Sequence, residues 1–406
     1  MAQLSEILKE RGYAYQFSSS TLGELTDGPK RTVYLGIDPS ADSLHVGNLQ
    51  AMLVLRRFLE DGHRVILLIG GGTGMIGDPS GKSEERNLLD DETIEKNAKA
   101  IEKQAKQLFA GLDFELVNNA AWLRKLNYIE FLRDIGKHFS VNAMLQRDSV
   151  KDRLQNQEQG ISYTEFSYML LQAYDFLHLF EEKGCDVQIG ASDQWGNIVS
   201  GTDLIRRKTG KTAYAFTSPL LINKSTGKKF GKSEEGAVWL DAQKTSPFKL
   251  YQFFLNVEDN AVEELLMRLT MIPRDEITAL SAEPAQTRAA QKKLAYAVTE
   301  LVHGKEAADA AVAESELRFK KDLTTAEKQQ LARMIDSERL LVDIIVEYGY
   351  APSKSAARRL IEVKGVKING ATVEDVDKIL NQSDLDADGF IVISGGKTQP
   401  SSVFCF

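Results

Sequence analysis

The chain has 406 residues, 43% of them hydrophobic, and this length predicts two or three domains. Its net charge of −8 excludes a protein that coats nucleic acid over its whole surface. No run approaches the roughly 20 apolar residues of a membrane-spanning helix, so we expect no contact with a membrane. Two cysteines are too few for a disulfide framework or a zinc site, and the N-terminus lacks a signal-peptide pattern, so we expect a cytoplasmic protein without bound metal.

The first half of the chain alternates short apolar runs with helical patterns, which predicts a parallel α/β sheet. The runs that predict strands are TVYLGI (32–37), RVILLIG (64–70) and CDVQIG (185–190). The segments with a helical period are 44–62, 92–110, 121–134 and 164–180.

A short polar motif, His45-Val46-Gly47-Asn48, follows the first predicted strand and opens a helix. His45 and Asn48 are three residues apart and project from one face of the first turn. Free backbone N–H groups and the helix dipole favour an anion there, and Gly47 lets a ligand approach closely. The motif indicates a phosphate site, although an ordinary helix cap with a surface histidine would give the same pattern.

The glycine-rich turn after the second predicted strand matches two nucleotide-binding patterns imperfectly. Residues 72–77 fit GxGxxG, but residues 78–81 (DPSG) stand where that pattern requires a helix. Residues 77–83 are one residue short of a phosphate loop, and Pro79 removes a backbone donor. We therefore reject both interpretations.

A polar face interrupts the otherwise apolar helix at 164–180. Tyr168, Gln172 and Asp175 have the spacing i, i+4, i+7 and lie on one side of the helix. Burying such groups without partners costs about 1–3 kcal/mol each. They indicate either a ligand pocket or the solvent face of a surface helix.

A basic, glycine-rich segment follows at 223–236 and contains Lys229-Phe230-Gly231-Lys232-Ser233. Its two lysines are three residues apart on a loop that could close over a phosphate chain. A solvated basic loop is the alternative.

From 247 to 320 the hydrophobic period is helical throughout, with Gly304 as a helix stop. Residues 321–337 are polar and predict a linker with some helix. The unit at 338–406 holds an apolar helix at 340–348, a helix opened by Ser353, a hairpin at Asn369-Gly370 and a closing strand, FIVIS.

The histidine motif at 45–48 resembles the HIGH signature of class I aminoacyl-tRNA synthetases. The lysine motif at 229–233 resembles their KMSKS signature. Asn48 replaces the second histidine of HIGH and keeps a hydrogen-bond donor that cannot titrate. The segments YLGIDPSADSLHVGN, GTGMIGDPSGK, SYTEFSYMLLQAYDF and GASDQWGN resemble the tyrosyl-tRNA synthetases closely. The resemblance extends over essentially the whole chain.

This resemblance implies that the protein activates L-tyrosine with ATP and Mg²⁺ and transfers the tyrosyl group to the 3′-terminal adenosine of tRNA(Tyr). It also implies a homodimer formed through residues 125–160. For the domains, it implies a Rossmann-like catalytic domain (1–220), a mobile loop (221–246), a helical anticodon-recognition domain (247–320), a linker (321–337) and an RNA-binding domain (338–406).

The resemblance further assigns site residues. Tyr34 and Asp175 would bracket the phenol oxygen of tyrosine, Tyr168, Gln172 and Asp78 would hold its ammonium group, and Gln194 would lie near its carboxylate. The residues that would stabilise the transition state are His45, Asn48, Lys82, Arg86, Lys229 and Lys232. Those that would bind ATP are Gly36, Asp38, Ser40, His45, Gly47, Asn48, Asp193 and Lys232, with Asp38 and Asp193 near ribose or ammonium.

The last unit resembles the RNA-binding module of ribosomal small-subunit protein four. Its basic patch, which would contact phosphates without reading sequence, consists of Lys354, Arg358, Arg359, Lys364 and Lys367. A solvated helix is the alternative there.

Three other functions stay open at this point. A tryptophanyl-tRNA synthetase shares the fold, although Tyr34 with Asp175 favours a phenol over an indole. A nicotinamide oxidoreductase is suggested only by GxGxxG. A non-catalytic RNA-binding protein would have the same domains.

Overall fold

The computed structural model describes residues 2–80, 89–147, 150–151, 160–233, 236–320, 322–335, 337–395 and 400–406. Its first half is built on a six-stranded sheet in the order β1-β6-β5-β2-β3-β4, which is parallel except for β1. The strands are β1 Gln16–Phe17, β2 Thr32–Ile37, β3 Arg64–Ile69, β4 Glu115–Asn118, β5 Cys185–Ala191 and β6 Tyr214–Ser218. The predicted parallel α/β sheet is therefore confirmed.

Helices cover both faces of this sheet because alternate residues of its strands point to opposite sides. On β2, Val33 and Leu35 belong to one buried cluster, whereas Tyr34 belongs to another with Phe176. The helices of this half are α1 Leu4–Glu10, α2 Leu22–Thr26, α3 Val46–Glu60, α4 Asp91–Leu108, α5 Ala120–Leu123, α6 Tyr128–Asp134, α7 Val141–Leu145, α8 Tyr163–Lys183 and α9 Trp195–Thr209.

The sequence prediction missed β1, β6, α2, α7 and α9 in this half, and it differs from the structure at two further places. The single helix predicted at 121–134 is wrong, because the Asn127 side chain accepts hydrogen bonds from Ile129 N and Glu130 N and starts a second helix. Strand β4 was missed because it lies at the edge of the sheet and is only half-buried, so it shows no apolar run.

Five helices follow, as the helical period of 247–320 predicts, and Gly304 ends the fourth with a φ of 88°. They are α10 Pro247–Leu255, α11 Asp259–Leu269, α12 Arg274–Ser281, α13 Ala289–His303 and α14 Lys305–Arg318. Their core is continuous with that of the sheet, since Phe254 and Leu294 belong to the same buried cluster as Leu49.

The last part of the chain forms a separate small core around a five-stranded sheet in the order β12-β11-β14-β15-β9. Its helices are α15 Thr325–Leu331, α16 Leu341–Glu347 and α17 Lys354–Glu362. Its strands are β9 Ala332–Met334, β10 Arg339–Leu340, β11 Lys367–Ile368, β12 Ala371–Thr372, β13 Ile379–Leu380, β14 Ile391–Ser394 and β15 Ser402–Cys405. The two-stranded pair β7 Lys232–Ser233 and β8 Gly236–Ala237 precedes α10.

The predicted hairpin is confirmed, with φ of 47° at Asn369 and 82° at Gly370, as its two-residue turn requires. The prediction that residues 390–394 close the sheet is wrong, because β15 follows and pairs with β14. The segment expected to be a linker contributes β9, which pairs in parallel with β15. No helix in the described part of the chain is long and apolar enough to cross a membrane.

Candidate active site

A cavity of about 710 Å³ lies at the carboxyl ends of β2 and β5, beside the N-terminus of α3. Ligands bind at this position in open parallel sheets, where the strand order reverses. The predicted site residues that line it are Tyr34, Gly36, Asp38, Ser40, His45, Gly47, Asn48, Asp78, Tyr168, Gln172, Asp175, Asp193, Gln194 and Lys229. The structure thus brings together groups that are up to 195 positions apart in the chain.

One end of the cavity has a buried hydroxyl with an unused hydrogen bond. Tyr34 is 1% exposed, and its hydroxyl has no hydrogen-bond partner among the described residues. Burial, followed by the nearby Asp175 carboxylate, raises the pKa of Tyr34 well above its ordinary value. The hydroxyl therefore stays protonated and available to a ligand.

Asp175 lies at the same end and is held from behind by two donors. Trp122 Nε1 donates to one carboxylate oxygen at 2.7 Å, and Asn119 Nδ2 donates to the other at 2.8 Å. Burial raises the pKa of Asp175 to about 7, although these two hydrogen bonds act to lower it. A carboxylate oxygen accepts more than one hydrogen bond, so a ligand hydroxyl could still donate to it.

A hydrogen-bonded chain connects this end to the middle of the cavity. Asn119 Nδ2 also lies 2.9 Å from the Thr73 hydroxyl, which donates to Asp38 Oδ1 at 2.7 Å. The Tyr168 hydroxyl donates to Asp38 Oδ2 at 2.8 Å. The network fixes Tyr168 and Asp38 in place and leaves their orientation little freedom.

A cluster of amides surrounds the buried Asp78. Gln194 Nε2 donates to Asp78 Oδ2 at 2.6 Å and Gln172 Nε2 lies 3.3 Å from Gln194 Oε1. Asn197 Nδ2 lies between them, 3.1 Å from Gln172 Oε1 and 3.5 Å from Asp78 Oδ1. A negative charge surrounded by polarised amides is suited to a ligand cation.

The N-terminus of α3 forms the other end of the cavity. The Asn48 side-chain oxygen accepts a hydrogen bond from His45 N at 3.0 Å, which leaves the amide NH₂ group as its remaining donor. A Cβ on Gly47 would lie 2.8 Å from His45 Cε1, so a larger residue would displace the imidazole ring from this position. The motif therefore caps the helix, as one interpretation predicted, and also lines the cavity, as the other predicted.

The lysine-containing loop is docked against this helix end. Val238 N bonds to the Gly231 carbonyl, and Val46 N bonds to the Val238 carbonyl, both at 2.9 Å. Gly231 has a φ of 91°, and its backbone touches the first turn of α3. Phe230 packs on Phe253 of α10, with ring centroids 5.2 Å apart.

Lys229 extends from this loop and forms an ion pair with Asp193 at 2.9 Å. Both residues are partly exposed, so the pair contributes little to stability and can open when a ligand competes for the ammonium group. Lys82 and Arg86 lie outside the described residues, as does the side chain of Lys232.

Sequence reasoning missed several polar residues that shape the cavity. They are Thr73, Asn119, Trp122, Gln188 and Asn197. Gln188 is buried, lines the cavity and has a side-chain oxygen without a partner in the described part of the chain. In the sequence, only the i, i+3 spacing of Asn119 and Trp122 could have suggested that both side chains contact the same group.

The structure decides one interpretation that the sequence left open and agrees with one rejection. The polar stripe of α8 is not a solvent face, because Tyr168 and Asp175 are buried at the cavity. The GxGxxG segment forms a short 3₁₀ turn, Thr73–Met75, where a dinucleotide site needs an α-helix. Across the described residues, no group of three His, Cys, Asp or Glu side chains could hold a metal ion.

The basic patch of the last part of the chain is exposed at all five positions. Lys354 pairs with Asp343 at 2.7 Å, Arg358 with Asp377 at 3.8 Å, and Lys364 with Glu374 at 2.6 Å. Within the described residues, Arg359 and Lys367 form no ion pair. The positive charge of the patch is thus partly neutralised by its own domain.

Comparison with known proteins matches most of the chain to one family model. Residues 26–320 match the model described as tRNA synthetases class I (W and Y). Residues 321–401 match the tyrosine–tRNA ligase SYY-like C-terminal domain.

Similar sequences and structures agree with these matches. The chain is 47% identical to a tyrosine–tRNA ligase of Staphylococcus haemolyticus over 97% of both chains, and 45% identical to one of Clostridium botulinum over 98% of both. It resembles the C-terminally truncated mitochondrial tyrosyl-tRNA synthetase of Aspergillus nidulans with a TM-score of 0.69 and 34% identity, over 78% of this chain and 94% of that one.

Proposed function

Because the chain belongs to the tyrosine–tRNA ligases, class I enzymes that activate tyrosine with ATP and load it onto tRNA, we propose that the cavity beside α3 binds both substrates of activation. The unpartnered hydroxyl of Tyr34 carries this proposal. A buried hydroxyl without a partner costs about 1–3 kcal/mol, and the phenol oxygen of tyrosine would remove that cost while donating to Asp175.

The rest of the amino acid follows the polar groups along the cavity. Its ammonium group lies against Asp78, Tyr168 and Gln172, where the amide cluster already surrounds a carboxylate. Gln194 lies at the same place and can turn its amide toward the substrate carboxylate. This arrangement points the carboxylate toward the helix end at which we place the phosphates.

Activation then needs position and charge, not a covalent nucleophile. An oxygen of the tyrosine carboxylate attacks the α-phosphorus of ATP in line, a new P–O bond forms, and the bond to pyrophosphate breaks. His45 and the amide of Asn48 face the phosphates at the start of α3, and Lys229, Lys232, Lys82 and Arg86 add positive charge. The backbone at Gly36, Ser40 and Gly47 lets the nucleotide lie close to the wall.

Lys229 changes partner in this scheme. Its ammonium group leaves Asp193 for a phosphate oxygen, and the carboxylates of Asp193 and Asp38 are then available to ribose hydroxyls or to the substrate ammonium. ATP enters as its magnesium complex, with the ion carried by phosphate oxygens, as is usual for Mg²⁺ in nucleotide enzymes.

In the transfer step, a ribose hydroxyl of the terminal adenosine of tRNA(Tyr) attacks the tyrosyl carbonyl carbon, and AMP leaves with the bonding electron pair. The helical domain at 247–320 would recognise the anticodon. The last domain would hold the tRNA backbone through the basic patch on α17 and the segment after it.

We also propose that the protein acts as a homodimer in the cytoplasm. The segment 125–160 exposes large apolar side chains, with Tyr128 59%, Ile129 70% and Val141 58% exposed. Large exposed apolar side chains in the described part of one segment support a protein–protein interface there.

ATP–pyrophosphate exchange with each of the twenty amino acids tests the function. We expect exchange with tyrosine and little with phenylalanine, which would leave Tyr34 and Asp175 unpaired. A preference for tryptophan would mean that the protein is a tryptophanyl-tRNA synthetase, the other kind of enzyme that the family model covers. No exchange with any amino acid would leave a non-catalytic RNA-binding protein.

A further inference from the structure

The last residue of α14, Arg318, is a buried cation that does not line the cavity. It is 6% exposed, and its guanidinium lies over the ring of Phe248 with Cζ 5.1 Å from the ring centroid. Glu314 accepts from Arg318 Nε at 2.7 Å. A buried guanidinium is tolerated only with such partners, and the C-terminus of a helix favours a cation.

The remaining partner of Arg318 belongs to the last domain. Arg318 Nη1 donates to the Ser401 carbonyl at 3.1 Å, and Ser401 N donates to the Arg318 carbonyl at 2.8 Å. These two bonds form a reciprocal pair between the end of the helical domain and the residue that precedes β15.

Ser401 is itself held firmly within its own domain. Its neighbours bond to the buried Tyr350, whose hydroxyl lies 2.8 Å from the Pro400 carbonyl and 3.0 Å from the Ser402 hydroxyl. Any constraint that Arg318 places on Ser401 therefore acts on the whole domain.

The chain between the two domains is short, with six residues, 319–324, between α14 and α15. A short tether raises the effective concentration of the two surfaces, so a small contact can hold them together. Without the contact, the same six residues would allow the domain a range of orientations.

We propose that Arg318 is a positioning residue for the tRNA step. It fixes the orientation of the domain that carries the basic patch relative to the catalytic cavity, so that one tRNA can bind to both at once without a change in domain orientation. This inference rests on the proposed function and adds to it a specific interdomain contact.

Three substitutions of Arg318 test the proposal, with tyrosine-dependent pyrophosphate exchange and tRNA charging measured on the full chain. Arg318→Ala removes the side chain, Arg318→Met keeps the apolar stem over Phe248, and Arg318→Lys keeps the charge. The control is Arg339→Ala, which removes an arginine whose ion pair, with Glu347, lies within the last domain.

We expect unchanged pyrophosphate exchange in all four variants. For Arg318→Ala and Arg318→Met we expect kcat/KM for tRNA to fall by about tenfold or more, mainly through KM, because the tRNA site loses its preset orientation. Arg318→Lys should recover part of the loss, and Arg339→Ala should charge tRNA like the parent. Small-angle scattering of Arg318→Ala should show a larger radius of gyration.

An unchanged KM for tRNA in both Arg318→Ala and Arg318→Met would overturn the proposal. So would a parallel loss of pyrophosphate exchange in both, since this would indicate a general structural role. If the parent chain fails to exchange pyrophosphate with tyrosine, the proposed function fails instead, which separates the two conclusions.

Discussion

The indole N–H of Trp122 points at the carboxylate of Asp175 from the side away from the cavity, with Nε1 2.7 Å from Oδ1. The indole ring is stacked on His178, with ring centroids 4.3 Å apart, so its direction is fixed by packing. Trp122 therefore aims the carboxylate without lining the cavity itself.

Replacing Trp122 by Phe should weaken the selection of tyrosine. The variant keeps an aromatic ring over His178 but loses the donor, and a hydrogen bond to a charged group contributes about 1.5–3 kcal/mol. We expect kcat/KM for tyrosine to fall by about tenfold or more while the value for phenylalanine changes little. Pyrophosphate exchange with both amino acids measures this. Equal losses for the two substrates would contradict the assignment.

The buried carboxyl of Asp175 should also make stability depend on pH. Burial raises its pKa in the folded protein to about 7, whereas an unfolded aspartate titrates near 3.9. The folded state thus binds the proton more tightly, so this contribution to the free energy of unfolding is complete below about pH 4 and is lost as the pH rises through about 7.

Asp175→Asn removes that titration and provides the test. The difference in the free energy of unfolding, variant minus parent, should be larger at pH 8 than at pH 5, because only the parent loses this contribution as the pH rises. Urea unfolding of both proteins at the two pH values measures the difference, in which the titration of all other groups largely cancels. A difference that is the same at both pH values would show that Asp175 has no raised pKa.

The sequence predicted most cavity residues through its resemblance to the tyrosyl-tRNA synthetases, and helical spacing alone indicated only the faces at His45 and Tyr168. Asp38 comes directly after the apolar run of β2, and His45 opens an amphipathic helix. The ends of parallel strands meet at one edge of a sheet, so the folded sheet brings these residues together.

Asn119 and Trp122 could not be placed in this way. They follow β4, a half-buried edge strand without an apolar run, and they contact Asp175 only through the packing of α5 against α8. Nor could local patterns show that β9 joins β15, since this pairing joins residues about 70 positions apart. Contacts between distant edge elements depend on the tertiary arrangement.

Gly231 should be required for docking of the lysine-containing loop. A Cβ at this position would lie 3.0 Å from Gly47 N and 3.2 Å from Val46 Cβ, in addition to the strain of its positive φ. Gly227 is the matched control, with a φ of 67° and nothing within 4 Å of the corresponding Cβ. Both alanine variants carry a backbone cost of about 1–2 kcal/mol, but only Gly231→Ala separates the loop from α3.

We therefore expect Gly231→Ala to slow adenylate formation in single-turnover experiments, with tyrosine affinity unchanged. Gly227→Ala should form adenylate at nearly the parent rate. Similar rates for the two variants would mean that the loop does not need this docked position for activation.

The ion pairs of the basic patch predict unequal contributions to tRNA binding. Arg359 and Lys367, which have no ion pair in the described structure, can meet phosphates directly, whereas Lys364 must first leave Glu374. Arg359→Ala and Lys367→Ala should therefore weaken tRNA binding more than Lys364→Ala, and each should lower the salt dependence of log K by about 1. Titrations at several salt concentrations measure both quantities. If the three variants lose equal affinity with an unchanged salt slope, the patch does not contact the phosphate backbone, and the last domain holds tRNA through another surface.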